Sequence, residues 1–195
     1  RHCSDALHPR STKARGAGAH APPPRSRPQP PSHNPAAGAR QVGAAGPNAA
    51  ELHLWHGFVL STWAGAKGGL GALALVKQAK AEFEKAIELD ATALDGSAYT
   101  SLASLYYQVP GWPIGFGDED KAEALFQQAL ALNPNGIDPH YFPGDFLLRQ
   151  KRYGEARTAL EKALAAPARP GREVADAGRR DEARALLAQV KEKLE

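Results

Sequence analysis

The chain has 195 residues and a net charge of +3, a length that suits one modest core rather than several domains. The charge is uneven: residues 1–50 hold seven Lys/Arg against one acid, Asp5, while the remainder holds 17 basic and 20 acidic residues. Cys3 is the single cysteine, so an internal disulfide is excluded, and no apolar run is long enough for a membrane-spanning helix.

Residues 1–48 read as a disordered tail. Residues 1–50 contain one Leu, one Val and no Ile, Phe, Trp or Tyr, and Pro, Ala, Gly and Arg crowd the stretch around Ala21–Pro31. Such a segment buries too little apolar surface to offset chain entropy. Its basic charge would touch nucleic acid or anionic lipid without specificity. No apolar core of a signal peptide is present, which leaves the compartment open.

From residue 49 onward the pattern is helical. The expected elements, in order, are helices over about 49–63, 73–89, 96–108, 118–132, 138–151 and 153–165, then a break at Pro167, Pro170 and Gly171 and a last helix over about 176–194. Asp118 is the expected cap of the fourth helix. Asp138 is the expected cap of the fifth, with Pro139 opening it and Pro143 putting a slight kink in its second turn.

Three of these helices carry the same signature: Ala79, Phe83, Ala86; Ala122, Phe126, Ala129; Ala156, Leu160, Ala163. An apolar residue four after the first Ala, then an Ala three later, falls on one helix face. Each follows a partner helix with a small residue and a large one three later: Gly57 and Leu60, Ala103 and Tyr106, Gly144 and Leu147. Small residues let a neighbouring helix approach, and large ones fill the groove beside them. The small-to-Ala spacing is 12 residues in the third pair, 19 in the second and 22 in the first. The first two pairs therefore carry insertions, one Gly-rich within residues 64–73 and one rich in Pro and aromatics within residues 108–120.

This arrangement resembles the tetratricopeptide-repeat (TPR) family over about residues 50–92, 96–135 and 137–168. The resemblance implies an all-α, right-handed stack of three helix hairpins with a C-terminal capping helix, a TPR domain over residues 49–195 behind the tail. A closer similarity, carried by residues 105–118, by Gly65 to Ala72 and by residues 165–184, is to exported bacterial TPR proteins related to the T component of TRAP-type transporters. It implies a periplasmic or exported protein that partners a solute-binding protein or shields a small apolar ligand.

The functional expectation is a non-enzymatic scaffold that holds a protein or peptide partner on its concave face and its aromatic insertion loop. Trp55, Tyr99, Tyr106, Tyr107, Trp112 and Phe116 are the candidate contacts, since aromatics anchor interfaces. Trp112 and Phe116 have two readings: they fold back to plug a gap between repeats, or they line a site. No cofactor is expected, and nucleic acid is not the expected partner. The exposed ends of a three-repeat stack favour homo-oligomers. His53 and His56 lie three apart, with no carboxylate or Cys nearby in sequence at ligand spacing, and they and His140 read as ordinary helix residues. The serines lack a nucleophile-elbow context, and the Gly-rich insertion lacks the Gly-Lys-Ser/Thr of a phosphate loop and reads as flexible.

Overall fold

The computed structural model describes residues 50–195, apart from the side chain of Leu70. The expected tail lies outside the described residues. Within them the chain forms α1 (Ala50–Lys67), α2 (Gly69–Leu89), α3 (Ala93–Gln108), α4 (Glu119–Leu132), α5 (Ile137–Arg149), α6 (Tyr153–Ala165) and α7 (Glu173–Leu194). Successive pairs α1/α2, α3/α4 and α5/α6 pack as hairpins, and α7 lies on α6 and α5. The fold is an all-α stack of three helix hairpins closed by a capping helix. Contacts from α1 to α3 and from α3 to α5 place the first helix of each hairpin in one layer.

The repeated residues are where the packing is tightest. Ala79, Phe83, Ala86, Ala103, Ala122, Phe126, Ala129, Ala156, Leu160 and Ala163 are all buried, with Gly57, Leu60, Tyr106 and Gly144, while Leu147 is half-buried. The glycines show why the small position is small. A Cβ on Gly57 would collide with the Phe83 ring, and one on Gly144 would sit 2.7 Å from Leu160 Cδ2. Within each of these hairpins the small residue of the first helix receives the large residue of the second. Gly57→Ala is therefore expected to cost about 1–3 kcal/mol through overpacking, which outweighs the helix propensity gained of about 1 kcal/mol. A melt showing Gly57→Ala at or above the wild-type midpoint would contradict this packing.

The first insertion departs from expectation. It is not a loop: α1 runs on to Lys67, α2 starts at Gly69, and only Gly68 separates them, with φ 62° and ψ 179°. The surplus residues lengthen both helices. Ala64 and Leu75 are buried across the hairpin, so packing overrides the weak helix propensity of the glycines. The second insertion is a loop, closed on itself. Asp118 N–H donates to Tyr106 O at 2.9 Å, Gly117 N–H to Pro110 O at 3.0 Å, and Gly115 N–H to Gly111 O at 3.1 Å. A Cβ at Gly117 would collide with the Val109 carbonyl, so only glycine fits there.

Helix ends follow the sequence in one case and not in another. Asp118 caps α4, accepting from Lys121 N–H at 3.1 Å, and that bond holds its carboxyl below the usual range. Asp138 does not cap α5. The cap position is Gly136, Asp138 falls inside the first turn, and α5 continues through the buried Pro143. The Asp138 carboxylate is drawn away by two arginines, Arg169 at 3.0 Å and Arg179 at 2.8 Å.

Candidate functional site

The inner helices frame a groove of about 1280 Å³, lined from α1 and α3 across to α5 and the segment before α7. At the first hairpin its wall is apolar, made by Trp55 and Phe58 of α1 with Val76 and Phe83 of α2. The rings chain together: Trp55 meets Phe58 edge-on at 5.6 Å, and Phe58 meets Phe83 at 5.6 Å. From the insertion loop Val109, Pro110 and Ile114 complete this end.

The middle of the groove is a row of hydroxyls. Ser97, Ser101 and Ser104 sit four and three residues apart on α3, so they share one face. Ser104 Oγ donates to Thr100 O at 2.9 Å, Ser97 Oγ to Leu94 O at 2.5 Å, and Ser61 Oγ on α1 to Gly57 O at 2.8 Å. Hydroxyls whose protons are used by their own helix offer lone pairs outward. That surface suits a ligand rich in N–H donors.

At its start α3 bends sharply. Leu94 (φ 46°, ψ 48°), Asp95 (φ 56°, ψ 37°) and Gly96 (φ 75°, ψ 21°) are left-handed in succession, and Leu94 and Asp95 line the groove. Leu94 and Asp95 each cost about 1–2 kcal/mol in that conformation. The Ser97 bond to the Leu94 carbonyl and the packing of Leu94 against the main core hold the turn. The regular part of α3 therefore starts at Ser97, close to the sequence expectation of 96.

The far end is charged, with Asp138 and Phe142 of α5, Arg169 and Arg172 of the linker, and Arg179 of α7. Arg179 lies over Tyr141 at 4.4 Å and Phe142 at 4.6 Å while its Nε donates to Asp138 at 2.8 Å. Arg169 bridges Asp138 and the buried Asp176. Arg172 makes no side-chain ion pair among the described residues, so its charge is available at the rim.

The six aromatic candidates do not form one surface. Trp55 lines the groove. Tyr106 is buried against Phe116 at 5.6 Å, so Phe116 is the residue that folds back from the loop. Tyr107 packs on Phe126 and Phe146, and its hydroxyl donates to Asp145 at 2.7 Å; burial pushes its pKa well above the usual tyrosine value. Tyr99 is half-buried and outside the groove lining. Trp112 is 90% exposed at the loop tip. The two readings of the loop thus divide between two residues, Phe116 inward and Trp112 outward.

The histidines have a partner that sequence spacing did not place near them. Glu82 of α2 stands between His53 Nδ1 at 2.6 Å and His56 Nδ1 at 3.0 Å, tying α1 to α2 away from the groove lining. His140 Nε2 donates to the Pro134 carbonyl at 2.7 Å, and burial lowers its pKa. Among the described residues no three His, Cys, Asp or Glu side chains are grouped to hold a metal ion.

A stack of helix hairpins with a groove along its inner layer is the class of protein these features define. Within it, residues 114–176 match the tetratricopeptide-repeat family model. The chain is similar to the protein in the crystal structure of MamA, with 25% identity over 80% of this chain and 84% of that one and a TM-score of 0.47. No curated protein matches the chain. No described helix is long and apolar enough to cross a membrane.

Proposed function

We propose that this protein is a non-enzymatic helical-repeat scaffold that holds an extended protein segment along the groove of α1, α3 and α5. The observation that carries the reading is the groove itself: an apolar wall, a floor of hydroxyl lone pairs and a cationic rim at Arg172, in that order along one face. An extended peptide offers apolar side chains to the first, backbone N–H groups to the second and a carboxylate to the third. Trp112, on the loop that closes the apolar end, supplies an exposed anchor of the kind that dominates interfaces.

The test is selection of binding peptides from a random library against the purified protein, followed by titration of the selected sequences against variants. Ser101→Arg fills the middle of the floor and is expected to weaken binding at least about tenfold, or 1.4 kcal/mol. Val174→Arg, at an exposed position outside the groove lining, is the control and should leave affinity unchanged. Peptides that bind the Ser101→Arg protein as well as wild type would sink the groove reading.

The apolar wall also supports a second reading, an accessory of a TRAP-type transporter that shields a small apolar ligand. Its lining runs over several helices and into the polar row on α3, which suits a chain better than a small apolar molecule. A native mass spectrum of gently purified protein carrying a bound small molecule, displaced on Phe58→Ala, would favour this reading over the first.

A further inference from the structure

We infer that the outer face of α1 is a self-pairing surface, on which a second copy of this chain docks its own α1 antiparallel. Trp55, Val59 and Trp63 recur every four residues along α1 and are 45%, 48% and 57% exposed. Residues four apart form one ridge on a helix, the ridge used in the commonest mode of helix–helix packing. Two Trp and a Val on one solvent-facing ridge leave an apolar strip that monomers rarely expose.

The strip lies at one end of the stack. At the other end α7 covers α6, burying Ala183, Leu187 and Val190 against it. The first end has no such cover among the described residues, since α1 packs chiefly on α2 and α3.

The pattern is symmetric about Val59 and therefore self-complementary, as a second copy requires. Val59 is midway between the two tryptophans. A two-fold axis passing by Val59 sets each Val59 beside its own copy and each Trp55 beside the other chain's Trp63. A two-fold interface requires that kind of self-complementarity. The ends agree in charge. Glu51 lies in the first turn and Lys67 in the last, each eight residues, or about 12 Å, from Val59. Antiparallel pairing brings the acidic end of one α1 to the basic end of the other and opposes the two helix dipoles. Three side chains alone cover less than the roughly 800 Å² per partner of a standard interface, so the pairing is expected in the micromolar range rather than the nanomolar.

The experiment uses the full chain. Sedimentation of wild type from about 1 to 100 μM should show a monomer–dimer equilibrium, and Val59→Glu should raise the dissociation constant more than about tenfold, with a melting midpoint equal to that of wild type at concentrations where wild type is monomeric. In a Cys3→Ser background, Val59→Cys should oxidise to a covalent dimer, because residue 59 meets its own copy. Val174→Cys, exposed on the capping helix, should not. A wild-type chain that stays monomeric at 100 μM overturns the inference and leaves the strip to a different occupant. A dimer unmoved by Val59→Glu, or one that Val59→Cys fails to trap, overturns it as well. Trp55 belongs to both the strip and the groove wall, but Val59 does not line the groove, so Val59→Glu tests the pairing without altering the groove.

Discussion

Replacing Phe83 with Ala is expected to lower the unfolding free energy by about 3–5 kcal/mol, the range for a large aromatic removed from a packed core. Phe83 is 1% exposed, and its ring fills the space left by Gly57 and packs beside Phe58, with ring centroids 5.6 Å apart. A domain of this size has about 5–15 kcal/mol in total, so the variant should lose much of its margin. The same pair supplies a sharper test than the single change. Gly57→Ala is destabilising in wild type because the added methyl meets the Phe83 ring. Once that ring is gone the methyl has room, and Ala is the better helix former by about 1 kcal/mol. Gly57→Ala should therefore stabilise the Phe83→Ala protein, a reversal of sign that urea unfolding of the four members of a double-mutant cycle reads directly. Additive effects would mean that Gly57 is small for a reason other than Phe83. Because Phe83 backs Phe58 in the groove wall, the Phe83→Ala protein should bind a selected peptide less tightly even under conditions where it stays folded.

How far the sequence is legible depends on the range over which its residues act. Gly57 with Phe83, Gly144 with Leu160, and the alanines around them are readable because a hairpin repeats the same small-to-large contact, so spacing alone exposes it. Asp118 is readable because a cap acts on its own helix three residues on. The Gly-rich stretch misleads because local propensity argues for a loop, whereas the antiparallel neighbour supplies the stability that turns residues 64–67 and 69–73 helical. Asp138 misleads for the opposite reason: its cap geometry is locally good, but Arg169 and Arg179 are 31 and 41 residues away and claim the carboxylate. The Glu82 link to His53 spans 29 residues and leaves no periodic trace. The groove serines leave a trace in the sequence that points to no site by itself. Ser97, Ser101 and Ser104 hold helical spacing in the sequence, a polar stripe on an otherwise apolar helix. They lack the sequence context of nucleophiles, and as one face of α3 they line the groove. The exposure of Trp112 and the burial of Tyr107 depend on how the insertion loop closes and how the hairpins stack, which spacing does not encode.

Arg169→Ala is expected to cost about 3 kcal/mol or more at neutral pH, the penalty for stranding a buried charge. Asp176 is 1% exposed, and its carboxylate takes its hydrogen bonds from Arg169, from the backbone N–H at 3.0 Å and from the guanidinium, with Nε at 2.8 Å, while the charge of Arg180 adds to the attraction. The guanidinium continues to Asp138 at 3.0 Å, so one side chain fastens the linker, α5 and α7 together. The Arg169 side chain holds the Asp176 carboxyl below its usual range. A carboxyl whose folded value is depressed contributes stability above its unfolded value, about 3.9, and that contribution is lost as pH falls through the folded value. Wild type should therefore hold its stability down to about pH 4 and lose this share only below it. Without Arg169 the sign reverses. Burial then disfavours the carboxylate, the folded value rises above the unfolded one, and protonation relieves the stranded charge. The deficit of Arg169→Ala should shrink as pH falls from 7 towards 5, with stability measured by urea unfolding at each pH. Asp176→Asn removes the charge and keeps the shape, so in the Arg169→Ala background it should restore part of the loss at pH 7 and abolish the pH dependence. A deficit in Arg169→Ala that stays constant between pH 5 and 7 would show that the capping helix is held by its apolar face, Ala183, Leu187 and Val190, and not by this charge.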